Sequence, residues 1–171
     1  LGFRKELAFA LDEEAGRIED VVPSADQTVL SSLPSAVDWR EKDIISDVKD
    51  QGGCGSCWTF ATSETVESYW ALKTGELAVL SEQQIASCTP NPDECGGTGG
   101  CGGGIPRIAY QQIMDMGGLS SEWTYPYLSY QGKDFPCRFS TVDTPPVAQL
   151  SSYTQLTPNN YTSIMDALAN T

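Results

Sequence analysis

One short stretch of the sequence, residues 51–60, holds the groups best suited to covalent chemistry. The second of its two cysteines, Cys57, follows a glycine-rich loop and opens a predicted helix. A thiol attacks only as a thiolate, and the unpaired N–H groups and positive dipole end at a helix's first turn favour that form. Gln51, six residues upstream, carries an amide that suits an oxyanion hole together with the Cys57 backbone N–H. The stretch therefore predicts attack by Cys57 on a carbonyl carbon.

Three other uses of the cysteines compete with this interpretation. Cys54 and Cys57 have the Cys-x-x-Cys spacing of a redox pair, but the βαβ context of thioredoxin-like proteins is missing. A zinc site would need a second closely spaced pair, whereas the later cysteines stand at positions 88, 95, 101 and 137. All six could instead form structural disulfides, which would oxidise Cys57. We expect no metal and no organic cofactor.

The composition limits the size of the fold and the class of partner. The chain has 171 residues, 40% of them hydrophobic, which is enough to bury one core. Its 10 basic and 23 acidic residues give a net charge of −13, which makes nucleic acids and anionic lipid surfaces repulsive partners. No run of 18 apolar residues is present that could span a bilayer. The sequence contains no His, so any imidazole that assists Cys57 must come from outside it.

The character of the sequence changes at Leu33. Residues 1–32 contain neither Cys nor Trp and predict a tail or linker. Apolar residues at helical spacing between Leu7 and Ile18 predict one short helix there, and an extended run should follow from Val21; a solvated leader fits this segment as well. Because the first residue is not Met, we expect the chain to be part of a longer one.

Helical spacing and capping residues predict four helices after Leu33. In order they are Cys57 to Lys73, a helix that begins after Ser81, Pro106 to the Gly117-Gly118 pair, and Asn160 to Ala169. Gly75 supplies the stop of the first, and Ser81 with Gln84 has the capping-box pattern. Residues 89–104 predict an irregular loop rich in Gly and Pro, and residues 119–153 predict loop and short strand packed by aromatic side chains.

Several ordered motifs resemble the papain and cathepsin cysteine proteases. The most specific is Cys-Gly-Ser-Cys-Trp at residues 54–58. The others are the mature N-terminus at residues 33–40, a helix block at residues 80–85 with Cys88, a Cys-x-Gly-Gly wall at residues 101–104, and a Tyr-Pro-Tyr turn at residues 125–127. Gly102 stands where that wall usually has Asn. Agreement of so many motifs in order identifies the chain as a member of this family.

The resemblance implies an α+β, papain-like fold. Residues 33–153 would form the mainly helical left domain, and residues 154–171 only the start of the β-rich right domain. Residues 1–32 would be the tail of an inhibitory propeptide, removed from a zymogen on activation, or a retained N-terminal extension.

The resemblance also implies roles for individual residues. Cys57 would be the nucleophile and Gln51 the oxyanion donor. Gly103 and Gly104 would pair with the backbone of an extended peptide, while Ile105 and Pro106 would form one side of a specificity pocket. The implied disulfides are Cys54 with Cys101 and Cys88 with Cys137. Cys95 is left without a family partner.

Family enzymes need a His and an Asn about 130 to 150 residues after the Cys, which lies beyond this sequence. We therefore expect the N-terminal part of a cysteine endopeptidase that hydrolyses peptide bonds through an acyl-enzyme. The remaining C-terminal part of the enzyme, or a second chain, would supply His and Asn. The alternative is an inactive papain-like fragment or pseudoenzyme that serves as a structural or binding subunit of a larger assembly.

The disulfides implied by the resemblance indicate a compartment. They require an oxidising route, so we expect the secretory pathway, with a lysosome, a vacuole or the extracellular space as destination. The sequence Asn160-Tyr161-Thr162 is a glycosylation sequon, which fits that route. Helices that normally pack against the right domain should leave an exposed apolar face.

Overall fold

The computed structural model describes residues 27–170. The α-helices of this part are α1 (Gln27–Ser32), α2 (Cys57–Thr74), α3 (Glu82–Cys88), α4 (Pro106–Asp115) and α5 (Tyr161–Asn170). Strands β1 (Leu119–Ser120) and β2 (Pro146–Ala148) accompany them, with 3-10 turns at Trp39–Lys42, Gly100–Gly102 and Ser129–Gln131. None of the helices in this part is long and apolar enough to cross a bilayer.

The four predicted helices correspond to α2 to α5, and local residues set their limits. Gly75 ends α2 in a left-handed conformation, with φ of 78°, and its N–H donates to the Ala71 carbonyl oxygen. Pro106 opens α4, where its missing N–H costs nothing. Asn160 precedes α5, and its Oδ1 accepts from the Ser163 N–H at 3.0 Å.

The capping-box prediction for α3 is half right. Ser81 Oγ accepts from the Gln84 N–H at 2.9 Å, but the Gln84 side chain does not return to Ser81. It donates to the Gly118 carbonyl oxygen at 3.0 Å and accepts from the Ser120 N–H at 2.7 Å. The Ser81 N–H already donates to the Ser120 carbonyl oxygen at 2.9 Å. The second capping-box bond, from the Ser81 N–H to the Gln84 side chain, is therefore replaced by a bond to Ser120, which is distant in the sequence.

The extended run predicted from Val21 is wrong over residues 27–32, which form α1. Two hydroxyls return to the helix backbone: Ser31 Oγ donates to the Thr28 carbonyl oxygen and Ser32 Oγ to that of Val29. The helix packs against α5, and such a long-range contact outweighs the weak local preference. The helix predicted between Leu7 and Ile18 lies outside the described residues.

One hydrophobic core lies between α2, α3, α4 and the strand pair. Its buried members are Trp58, Val66, Leu80, Ile85, Ala109, Ile113, Leu119 and Ala148. The strands are antiparallel, with Leu119 opposite Ala148. Both residues are fully buried, so the short sheet closes the core beside α2.

The other side of the described structure is apolar and open. No residue of α5 is buried, and its Tyr161, Ile164 and Leu168 are about half exposed. Trp39 Nε1 donates to the Leu168 carbonyl oxygen at 2.9 Å and so ties α5 to the N-terminal segment. A groove of about 600 Å³ lies between α2 and residues 149–156. We refer to α5 and this groove together as the apolar face.

Candidate active site

Cys57 is the first residue of α2, an 18-residue helix. Its thiol is free and its side chain is partly exposed, so a reagent can reach the sulfur. The Ser56 carbonyl oxygen accepts the N–H groups of Thr59 at 2.8 Å and Phe60 at 3.3 Å, which closes the first turn directly behind the cysteine. The thiol therefore stands at the end of α2 where N–H groups are unpaired and the dipole is positive.

Gln51 lies at the start of the loop that leads to Cys57. Its Nε2 donates to the Cys54 carbonyl oxygen at 2.7 Å, so the amide is held within the loop. An amide nitrogen carries two N–H groups, and this bond uses one of them. The amide is thus oriented by the loop itself and keeps a second donor.

The segment around Tyr130 holds the outer part of the same loop. The Gly53 N–H donates to the Tyr130 carbonyl oxygen at 2.8 Å. Asp50 accepts from the Gly52 N–H at 2.9 Å and from the Tyr130 hydroxyl at 3.0 Å, and these bonds lower its pKa. Gly52 has φ of 63°, and a Cβ there would lie 2.3 Å from the Tyr130 carbonyl oxygen. Only glycine fits that approach.

A covalent link joins the Cys57 loop to the glycine wall at residues 101–104. Cys54 is bonded to Cys101, and Cys88 to Cys137; these are the pairs that the resemblance implied. The Gly55 N–H donates to the Cys101 carbonyl oxygen at 3.0 Å. Cys95 is a buried free thiol. The loop and the wall are therefore fixed side by side.

The structure brings the four implied binding residues next to this link. Gly103 and Gly104 are buried, and Ile105 and Pro106 are partly exposed at the start of α4. The Gly103 carbonyl oxygen already accepts from Gly99 at 2.8 Å. A Cβ on Gly104 would lie 2.8 Å from the Trp58 ring, so the absence of a side chain there lets the wall approach α2.

An ionic cluster formed by Lys49, Glu67, Glu82 and Glu122 is linked to the site region through Tyr127, whose N–H donates to Glu122. Glu67 and Glu82 are buried, and Lys49 and Glu122 are partly exposed. Lys49 Nζ bonds Glu67 Oε1 and Glu82 Oε1, each at 2.5 Å, and the Leu80 N–H donates to Glu67 Oε1 at 2.7 Å. Burial opposes the charge on Lys49, but the two carboxylates outweigh it and raise the lysine's pKa. The Lys49 ammonium group thus pairs with two buried carboxylates.

Glu122 is the member of the ionic cluster whose carboxyl group is only partly hydrogen-bonded. Its Oε1 accepts from the Tyr127 N–H at 2.7 Å, while its Oε2 is buried without a hydrogen-bond partner among the described residues. Burial raises the pKa of Glu122 to about 7; the charge of Glu82 adds to this rise and the Tyr127 N–H opposes it. The carboxyl group is therefore protonated in acid and charged above neutral pH.

Sequence reasoning missed the residues that support the loop from behind. Tyr127, Ser56 and the ionic cluster were not singled out, because their partners lie far away in the chain; Ser56 and Tyr127, for example, are 71 positions apart. The Tyr-Pro-Tyr turn contains Tyr127, but it indicated only aromatic packing and a family resemblance, with no role for this hydroxyl. Over residues 27–170, no three His, Cys, Asp or Glu side chains are grouped as a metal would require.

The profile of the papain family of cysteine proteases matches residues 33–171. The chain belongs to this family. Zingipain-2 from Zingiber officinale is 44% identical over 138 residues, which are 81% of this chain and 58% of that protein. Procathepsin L from Mus musculus is 42% identical over 113 residues, 66% of this chain and 32% of that protein.

A solved structure confirms the predicted fold class. The structure of a recombinant stem bromelain precursor matches with a TM-score of 0.72 and 34% identity, over 90% of this chain and 47% of that chain. The described residues therefore form the helix-rich part of a papain-like fold. The chain spans between about three tenths and three fifths of the length of the curated papain-family relatives that it matches.

Proposed function

We propose that this chain is the N-terminal, nucleophile-bearing part of a cysteine endopeptidase. One observation carries the proposal: a free, reachable thiol at the first residue of α2, at the end of a loop that also orients the Gln51 amide. A nucleophile and an oxyanion donor carried by one loop are what acyl transfer requires.

In the proposed reaction, the Cys57 thiolate attacks the carbonyl carbon of a peptide bond. The new S–C bond forms as the carbonyl π pair moves onto oxygen, and the Cys57 N–H and Gln51 Nε2 stabilise that oxyanion. Collapse of this tetrahedral intermediate breaks the C–N bond and expels the amine, which takes a proton from an imidazolium. Water then hydrolyses the acyl-enzyme. Gly103 and Gly104 would hold the substrate backbone, with Ile105 and Pro106 beside its side chain.

The imidazole must come from outside this sequence, which contains no His. We propose that the remaining C-terminal part of the enzyme, or a second chain, supplies His and Asn and covers the apolar face. Half-exposed apolar side chains on α5 and the adjoining groove support this, because an exposed apolar face typically packs against a partner.

We further propose a secretory route that ends in a lysosome, a vacuole or the extracellular space. The two disulfides support it, since disulfides form in oxidising compartments. Residues 1–32 would belong to the propeptide of a zymogen, or to a retained extension.

The test uses the full natural protein and an internally cleaved peptide substrate. Cys57→Ser should lower kcat/KM by at least about 10³-fold, because the nucleophile is lost. Gln51→Ala should lower it by about 10²- to 10³-fold, the usual cost of one oxyanion donor. Cys95→Ser is the matched control, because it removes the other free thiol, and it should retain activity.

Two outcomes would contradict the proposal. Activity that survives in Cys57→Ser would exclude this thiol as nucleophile. A wild-type protein whose Cys57 is alkylated by iodoacetamide but which cleaves no peptide would favour the non-catalytic alternative, a papain-like subunit of a larger assembly.

A further inference from the structure

The hydroxyl of Tyr127 connects the two ends of the Cys57 loop. It donates to the Gln51 carbonyl oxygen at 3.0 Å and lies 2.6 Å from Ser56 Oγ. A phenol has one proton to give, so donation to Gln51 leaves the Ser56 hydroxyl as the donor in the second bond. The chain of bonds thus runs from the residue before the nucleophile to the proposed oxyanion donor.

Ser56 is used in an unusual way. It occupies the N-cap position of α2, where a serine side chain ordinarily accepts a helix N–H. Here the fully buried Ser56 makes no such side-chain bond and directs its hydroxyl to Tyr127 instead. The helix therefore lacks a side-chain cap from Ser56, and the Ser56 hydroxyl instead links the start of the helix, through Tyr127, to the Gln51 end of the loop.

Tyr127 is itself held firmly. Its ring packs edge-to-face on Phe60 with centroids 5.0 Å apart, and its N–H donates to Glu122. The next two N–H groups in the chain donate to Gln83 Oε1 of α3, at 2.7 and 3.0 Å. Burial raises the pKa of the Tyr127 phenol, so it remains a donor at neutral pH. The hydroxyl is therefore a fixed point to which the loop is attached.

We propose that Tyr127 is a positioning residue for the oxyanion hole: its hydroxyl fixes the Gln51 end of the loop relative to the start of α2. The inference rests on the proposed function. Oxyanion donors act on the charge that develops on the substrate oxygen. Loss of the hydroxyl should therefore slow attack on a carbonyl carbon. Alkylation of Cys57 by iodoacetamide displaces iodide without forming an oxyanion, so its rate should be unchanged.

The experiment compares Tyr127→Phe with Tyr125→Phe in the full natural protein. The Tyr125 hydroxyl accepts from the Arg138 N–H at 2.9 Å, so the control removes a comparable bond from the same Tyr-Pro-Tyr turn without touching the loop. With active sites counted by alkylation, Tyr127→Phe should lower kcat about 10-fold, a modest loss for displaced catalytic groups. KM should stay within about twofold and the alkylation rate should stay the same.

Three results would overturn the inference. The first is an unchanged kcat per active site in Tyr127→Phe. The second is an equal loss in Tyr125→Phe, since that would show a general effect on folding. The third is an alkylation rate that falls in step with kcat, since the hydroxyl would then act on the thiol.

Hydrogen exchange separates this inference from the proposed function. If the wild-type protein cleaves no peptide, the proposed function fails, but amide exchange across residues 51–57 still reports how the loop is held. Tyr127→Phe should raise that exchange at least about 10-fold while Tyr125→Phe leaves it unchanged. Equal exchange in the wild type and in Tyr127→Phe would overturn the inference whatever the activity.

Discussion

Replacing Glu122 by Gln should remove a pH dependence from the stability of this protein. The wild-type carboxyl has one oxygen bonded to the Tyr127 N–H and the other buried without a partner among the described residues, next to Glu82. Gln keeps the shape and the acceptor oxygen but carries no charge. The substitution therefore isolates the cost of ionising this one group.

The sign follows from the raised pKa. Below pH 4.5, Glu122 is protonated in the folded and the unfolded chain, and its stabilising contribution is fully present. As the pH rises through about 7, the folded pKa of Glu122, the unfolded chain has already released its proton and the contribution is lost. The shift corresponds to about 3 kcal/mol before any allowance for solvent screening. Because water reaches part of the side chain, we expect about 1–2 kcal/mol.

Urea unfolding at pH 4 and pH 8 measures this contribution. The stability of Glu122→Gln relative to wild type should increase by about 1–2 kcal/mol between pH 4 and pH 8. Glu76→Gln, at an exposed position, is the matched control and should change little relative to wild type. If the wild type and Glu122→Gln keep the same stability difference at both pH values, the carboxyl does not titrate as its environment requires and the reasoning is refuted.

Two further predictions concern the ionic cluster and the glycine wall. Lys49→Met should lower the free energy of unfolding by about 3–5 kcal/mol, because it leaves the buried carboxylates of Glu67 and Glu82 without their cation; chemical denaturation measures the loss. Gly104→Ala should cost about 1–3 kcal/mol, because its Cβ would meet the Trp58 ring at 2.8 Å, and thermal unfolding should show a lower Tm.

Each of these changes has its own control. Lys73→Met removes an exposed cation from α2 and should leave stability within about 0.5 kcal/mol of wild type. Gly53→Ala adds a methyl group whose nearest neighbour is 3.7 Å away, an ordinary contact. If Lys49→Met lowers stability no more than Lys73→Met, the buried ion pairs do not contribute the predicted energy. If Gly104→Ala lowers stability no more than Gly53→Ala, the close contact with Trp58 does not.

The sequence by itself determined the features that depend on neighbours a few positions apart. The start of α2 at Cys57 and its stop at Gly75 were predicted, as were the cap by Ser81 and the opening of α4 at Pro106. Each follows from the backbone groups that a helix leaves unpaired at its ends, and a nearby residue satisfies or avoids them. For that reason the position of Cys57 at the start of its helix follows from the local sequence alone.

Only the tertiary structure decided how the loop before Cys57 is supported. The Gln84 side chain bonds Gly118 and Ser120 instead of Ser81. Residues 27–32 form a helix that packs against α5. Tyr127 bonds the Gln51 backbone across 76 positions, and Lys49 neutralises Glu82 across 33. No spacing rule connects such pairs, because a hydrogen bond depends on distance in space, and packing of the core brings these groups together.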